Sequence, residues 1–77
     1  MSISVKYFAS LRERLGRSED QLDVAENMTV ADVWDRLHPD HPLPASVLTA
    51  VNREYQDLGS IVRDGDEVAF FPPVTGG

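Results

Sequence analysis

The chain predicts an α+β domain in which one dominant helix packs on one face of a mixed sheet. Three observations predict it. Residues 2–8 alternate in polarity with period two, residues 29–37 carry one apolar stripe at helical spacing, and residues 67–71 form a second apolar strand stopped by prolines. Seventy-seven residues make a single domain. At that size folding removes only about 60–65% of the unfolded surface from water, which predicts a small core and modest stability.

In the opening strand Ile3, Val5 and Tyr7 share one face, and Ser4, Lys6 and Phe8 the other. Phe8 is an aromatic on the polar side. By parity alone it could cap a core edge or belong to a binding surface, with the edge slightly favoured. Residues 9–15 suit a short helix, with Leu11 and Leu15 at i,i+4, Arg12, Glu13 and Arg14 on its wet face and Gly16 placed to end it. A polar turn over 17–21 leads to a brief strand over 21–24 that buries Leu22 and Val24.

The clearest helix begins at Thr29, which with Asp32 approximates a capping box. Val30, Val33, Trp34 and Leu37 follow at i, i+3, i+4 and i+7, so Trp34 is core. Pro39 ends the helix by His38, because the residue before proline disfavours helical geometry. His38, Asp40 and His41 have the flavour of a metal site, but three prolines around them and no fourth ligand favour a solvated loop. Residues 47–52 form the next strand, followed by a turn at Arg53-Glu54 and a very short strand at Tyr55. Leu58, Ile61 and Val62 are expected under a loop, ahead of a tight turn at Asp64-Gly65. In the final strand Val68 and Phe70 point one way, and Glu67, Ala69 and Phe71 the other. Pro72 and Pro73 cannot donate to a ladder, so pairing stops there.

Composition narrows the function. There is no cysteine, which excludes disulfides, thiol catalysis and Cys-based zinc sites, and there are only two histidines. A catalytic constellation within this chain alone is not expected. A net charge of −6 argues against nucleic acid, whose phosphates require a basic footprint. The acidic excess serves either solubility or steering toward a basic partner, two readings of equal weight. No apolar run approaches a membrane span and no signal-peptide pattern precedes the first strand, so the expected location is cytoplasmic.

What remains is the end of the chain. Behind the prolines lie Val74, Thr75, Gly76 and Gly77, an expected flexible tail over 74–77 on a body over 1–73. Four residues reach about 13–14 Å. A frayed end is the bland reading, although two terminal glycines occur by chance in only about 0.5% of chains. The functional reading makes the Gly77 carboxylate the working group, because a tail without Cβ atoms can thread a narrow channel and approach a catalytic centre. A carboxylate is inert until activated, so that reading requires a second protein that consumes ATP to form an acyl-adenylate.

The run from Asp64 to Gly77, Asp-Gly-Asp-Glu-Val-Ala-Phe-Phe-Pro-Pro-Val-Thr-Gly-Gly, resembles the C-terminal signature of the sulfur-carrier subunits of molybdopterin synthase. The segment from Val5 to Glu13 is similar to that family's first strand and helix, and Ala50-Val51-Asn52 fits its middle. The resemblance spans nearly the whole chain, though only the C-terminal run is highly specific. It implies a ubiquitin-like β-grasp fold whose first and last strands pair at the centre. That would bring Phe8 beside Phe71 on the face away from the helix and, with Tyr55, make an apolar docking patch.

The resemblance also implies a mechanism. An adenylating, E1-like enzyme would activate Gly77 with ATP, and a sulfur donor would leave a terminal thiocarboxylate. In the large subunit of molybdopterin synthase that group would donate sulfur to a cyclic pyranopterin phosphate. Gly76 and Gly77 would thread the channel, Val74 and Thr75 would line its mouth, and Pro72 and Pro73 would direct the tail away from the sheet. No tightly bound cofactor is expected, and the catalytic groups would belong to the partner in a heterotetrameric assembly. The rivals are a thiocarboxylate donor for thiazole or tRNA thiolation, a protein modifier joined through Gly77 to lysines, and an interaction module with an inert tail.

Overall fold

The computed structural model describes residues 2–23, 27–44 and 46–72. Among the described residues nine elements follow in order: β1 Ser2–Tyr7, α1 Ala9–Leu15, β2 Glu19–Asp23, β3 Met28–Thr29, α2 Val30–Leu37, β4 Leu48–Val51, β5 Glu54–Tyr55, β6 Ile61–Val62 and β7 Glu67–Phe71. Five strands form one sheet in the order β2-β1-β7-β4-β5, while β3 and β6 pair separately. The central pair, β1 and β7, is parallel, and the other pairings are antiparallel. First and last strands therefore meet in the middle, as the resemblance implied.

The alternation in β1 and β7 does what period two requires. Ile3, Val5, Val68 and Phe70 are wholly buried, and Tyr7 almost so. Against that face pack Val30, Val33 and Trp34 of α2 and Leu11 of α1, with Met28 and Val62 closing one side. Trp34 meets Phe70 edge-on at 5.0 Å and Tyr7 edge-on at 6.1 Å, the geometry aromatic quadrupoles favour. Its indole N–H, which burial would otherwise strand, donates to the His41 carbonyl at 2.7 Å.

The helix ends follow their local signals. Thr29 and Asp32 form the expected capping box: the Asp32 N–H donates to Thr29 Oγ1 at 3.1 Å and the Thr29 N–H to Asp32 Oδ2 at 3.0 Å. The Thr29 backbone N–H foremost, and then the Thr29 hydroxyl, hold the Asp32 carboxyl below the ordinary carboxylate range. Gly16 takes φ +74°, and its N–H returns to the Arg12 carbonyl at 3.0 Å to close α1.

Several expectations need correction. β2 begins at Glu19 rather than at residue 21, because its ladder with β1 runs from Ser2↔Asp23 to Lys6↔Glu19. Val24 lies outside the described residues. The turn after β4 is Asn52-Arg53, one residue earlier than expected. Leu58 and Ile61 are exposed rather than tucked under a loop: Ile61 lies in β6, paired with Thr29, where its partner strand is only two residues long. The solvated-loop reading fails for His38, which is 5% exposed and bonded to the Tyr7 hydroxyl, while His41 is exposed as expected. Among the described residues no group of three or more His, Asp or Glu side chains is placed to hold a metal, and no helix is long and apolar enough to cross a membrane.

The two-residue link between β4 and β5 has positive φ at both central positions, Asn52 at 51° and Arg53 at 71°, as a type I′ hairpin demands. Arg53 meets that demand with a Cβ in the left-handed region. Arg53→Gly should raise stability by about 0.5–1 kcal/mol, the left-handed strain outweighing the added freedom of the unfolded chain. Urea unfolding reads this directly, and a lower midpoint would show that the arginine side chain stabilises the turn.

Candidate functional site

The outer face of the sheet, away from the helices, carries the candidate site, and register dictates who stands there. Paired residues share a face, so Tyr55, Ala50, Ala69 and Lys6 form one row across β5, β4, β7 and β1. Leu48 and Phe71 begin the next row, and Phe8, just beyond β1, completes it. Phe8 and Phe71 stack with centroids 4.7 Å apart and planes 9° from parallel. Tyr55 leans on Phe71 at 6.4 Å. Exposure separates this group from the core, since Phe8 is 39% exposed, Leu48 38% and Tyr55 75%. Between Tyr55 and Lys6 the row is filled by Ala50 and Ala69, which are buried.

Phe8 is held at this edge by its backbone. Its N–H donates to the Phe70 carbonyl at 3.2 Å, and its own carbonyl accepts from Leu11 at the start of α1. The next residue, Ala9, sits at φ 52°, a left-handed turn that swings the chain from strand to helix and leaves the ring over the sheet. A strained non-glycine backbone beside an exposed aromatic is a common companion of binding sites.

The strand that ends in Phe71 is aimed by a clasp at its other end. Asn52 donates from Nδ2 to Asp66 Oδ1 at 2.9 Å and accepts the Glu67 N–H on Oδ1 at 3.0 Å, while its own N–H donates to the Glu67 carbonyl at 2.8 Å. The Arg63 N–H donates to Asp66 Oδ2 at 2.7 Å, and Gly65, at φ 85°, donates to the Ser2 carbonyl. The clasp was not read from the sequence, although a signal was there: an Asn at a hairpin corner has a side chain that can bond a neighbouring backbone. Lys6 Nζ lies 3.5 Å from Glu67 on the same face, a half-exposed cross-strand pair.

Of the expected site residues, Phe8, Tyr55 and Phe71 are brought together on this face, and Pro72 follows directly where β7 stops. Pro73, Val74, Thr75, Gly76 and Gly77, and with them the expected boundary between body and tail, lie outside the described residues.

A family model described as the ThiS family matches residues 5–77. The chain belongs to the ThiS family. Among curated relatives, the molybdopterin synthase sulfur carrier subunit of Chlamydomonas reinhardtii is 37% identical, with both chains covered in full. The human protein of the same name is 32% identical over 97% of this chain and 93% of its own. Among solved structures, small archaeal modifier protein 1 from Haloferax volcanii superposes with a TM-score of 0.85 at 34% identity, each chain covered completely. The fold is the ubiquitin-like β-grasp.

Two measurements separate the aromatic rows from ordinary packing. A double-mutant cycle on Phe8→Ala and Phe71→Ala should return a coupling of about 0.5–1.5 kcal/mol in urea unfolding, as stacked rings do. Tyr55→Ala should move stability by no more than about 0.5 kcal/mol, because the side chain is mostly in water already. A large loss at Tyr55 would place it in the fold rather than on a working surface.

Proposed function

We propose that this chain is a sulfur carrier, the small subunit of a molybdopterin synthase, and that its working group is the carboxylate of Gly77. The end-to-end match to a sulfur carrier subunit at 37% identity carries the reading. Chemistry supports it: a chain without cysteine has no thiol on which to carry sulfur, which leaves the main-chain carboxylate.

The carboxylate would attack the α-phosphorus of ATP bound to an adenylating partner, expelling pyrophosphate and leaving an acyl-adenylate. A sulfur donor at the sulfide level would then displace AMP and leave a thiocarboxylate. In the large subunit the thiocarboxylate sulfur would form a carbon–sulfur bond to a cyclic pyranopterin phosphate as a carbon–oxygen bond of that substrate breaks. Water would then cleave the resulting thioester, leaving the sulfur on the pterin and the carboxylate on Gly77. Gly76 and Gly77 would enter each active site, with Val74 and Thr75 at its mouth and Pro72 and Pro73 fixing the direction of approach. Phe8, Tyr55 and Phe71 would anchor both partners. The acid–base groups would belong to those partners, making this chain a co-substrate, and ATP-dependent activation is consistent with a cytoplasmic setting.

One observation favours a second reading, a protein modifier: the similarity to small archaeal modifier protein 1, at 36% sequence identity over 94% of this chain. It shares the adenylation step and differs in the acceptor, a lysine amine in place of sulfur. Lys6, the single lysine, would be the one side-chain acceptor for chains of this protein. Sulfur donation for thiazole or tRNA thiolation would use the same thiocarboxylate.

Co-expression with the adenylating enzyme followed by intact-mass analysis decides between sulfur and conjugation. The expected product is the chain with one oxygen exchanged for sulfur; lysine-linked adducts in its place would favour the modifier. One added residue after Gly77 should abolish the exchange, and full activity of that extended chain would overturn the mechanism. Phe71→Ala should weaken partner binding by about 2 kcal/mol or more, about 30-fold in Kd. An unchanged titration would reduce Phe71 to packing.

A further inference from the structure

Four polar side chains close a ring at the end of the sheet that carries Phe8. Tyr7 Oη donates to Asp20 Oδ2 at 2.8 Å and lies 2.6 Å from His38 Nε2. Arg17 Nε reaches the same Asp20 oxygen at 2.8 Å, and Arg17 Nη2 lies 3.4 Å from His38 Nδ1. Proton counting sets the directions. A phenol has one proton, and Tyr7 gives it to a carboxylate that can only accept. The Tyr7 oxygen must then accept from His38 Nε2–H, which leaves a lone pair on Nδ1 facing the guanidinium. The ring thus needs neutral imidazole in the Nε2–H tautomer.

We propose that this Tyr7–His38–Arg17–Asp20 ring is an acid-opened latch that ties the end of α2 and the start of β2 to β1, and thereby sets the order of Phe8 on the docking face. Protonation of Nδ1 would aim an N–H at an Arg17 donor 3.4 Å away and add a second positive charge beside it. Both oppose the closed geometry, and His38, at 5% exposure, has little water to turn to. Tyr7 transmits the change because its main chain continues straight into Phe8, whose N–H is bonded to Phe70. Its ring also stacks on Phe70 at 6.2 Å.

The charged and titratable groups facing His38 are Tyr7 of β1, Arg17 from the connection before β2, Asp20 of β2 and His41 from the following loop. Burial lowers the His38 pKa most, Arg17 and His41 lower it further, and Asp20 opposes them. The folded state therefore binds the proton less readily than the unfolded chain. The contribution is complete above the ordinary histidine value of 6.5 and is lost as pH falls below it toward the folded value. Tyr7 bounds the other side: burial, then the Asp20 hydrogen bond, raise its pKa above the ordinary 10.0, so its contribution is complete below that pH and lost above it.

The test needs only the isolated protein. Long-range ¹⁵N NMR on the unaltered chain should show His38 as the Nε2–H tautomer, titrating below 6.5. An Nδ1–H tautomer, or an ordinary midpoint, overturns the ring. Urea unfolding of the parent and of His38→Gln, which keeps an amide donor for Tyr7 but cannot titrate, should give profiles that run parallel above neutrality. Below it the parent should lose additional stability, by at most about tenfold in the folding constant per pH unit, the effect of one proton. Profiles that stay parallel into acid overturn the latch. Amide exchange protection at Phe8 should fall with the His38 midpoint in the parent and not in His38→Gln, and a Phe8 amide indifferent to His38 overturns the coupling. None of these readouts involves Gly77 or a partner, so the latch and the sulfur-carrier reading fail separately.

Discussion

The parallel pairing of β1 with β7 is the contact on which the rest of the structure depends. It joins residues more than sixty positions apart, Ser4 to Glu67 and Tyr7 to Phe70, so its loop-closure cost is among the largest in the chain. What offsets that cost is the apolar face the pair creates. Ile3, Val5, Tyr7, Val68 and Phe70 stand side by side and are covered by α2 together with Leu11 of α1. At about 25 cal/mol per Å² of apolar surface removed from water, a small domain gains most from concentrating its largest side chains at one place. Here Trp34, Tyr7 and Phe70 are that place.

The same pairing organises the opposite face. A strand turns alternate residues to opposite sides, so the register that buries Tyr7 with Phe70 obliges Phe8 and Phe71 to stand together outside. A one-residue slip of β7 would exchange the two sets, exposing Phe70 and driving Phe71 and Glu67 inward. The core therefore enforces the aromatic outer face, and aromatic residues on both sides of two neighbouring strands carry no ambiguity once the register is fixed. Because β7 lies between β1 and β4, its last residue emerges from the middle of the sheet, with Phe8 on one side and Leu48 on the other.

Polar groups complete what apolar packing leaves open. Among the described residues every buried side-chain nitrogen and oxygen has a hydrogen-bond partner. Trp34 and His38 lie at the seam between α2 and the proline-rich loop, where the His41 carbonyl bonds Trp34 and the Tyr7 hydroxyl bonds His38. Thr49, also buried, donates to the Gln56 carbonyl across the β4–β5 hairpin. In a domain of this size an unpaired buried donor would cost about 1–3 kcal/mol, a sizeable part of the total.

Local signals in the sequence determined the elements whose causes are local. The alternation of 2–8 and 67–71, the capping box at Thr29, the stripe through Trp34 and the glycine stop at Gly16 all appear where spacing and turn chemistry put them. The aromatic cluster on the outer face was legible only by way of the resemblance, because parity puts Phe8 on the outer side without saying what lies next to it. Tertiary structure alone decided the β3–β6 pairing, the outward position of Ile61, the Asn52 clasp and the burial of His38. Each of these depends on partners distant in the chain: His38 and Tyr7 are 31 residues apart, and two-residue strands have no period to read. A histidine among prolines carries the local marks of a wet loop, and only the phenol brought to it by the first strand makes it an interior residue.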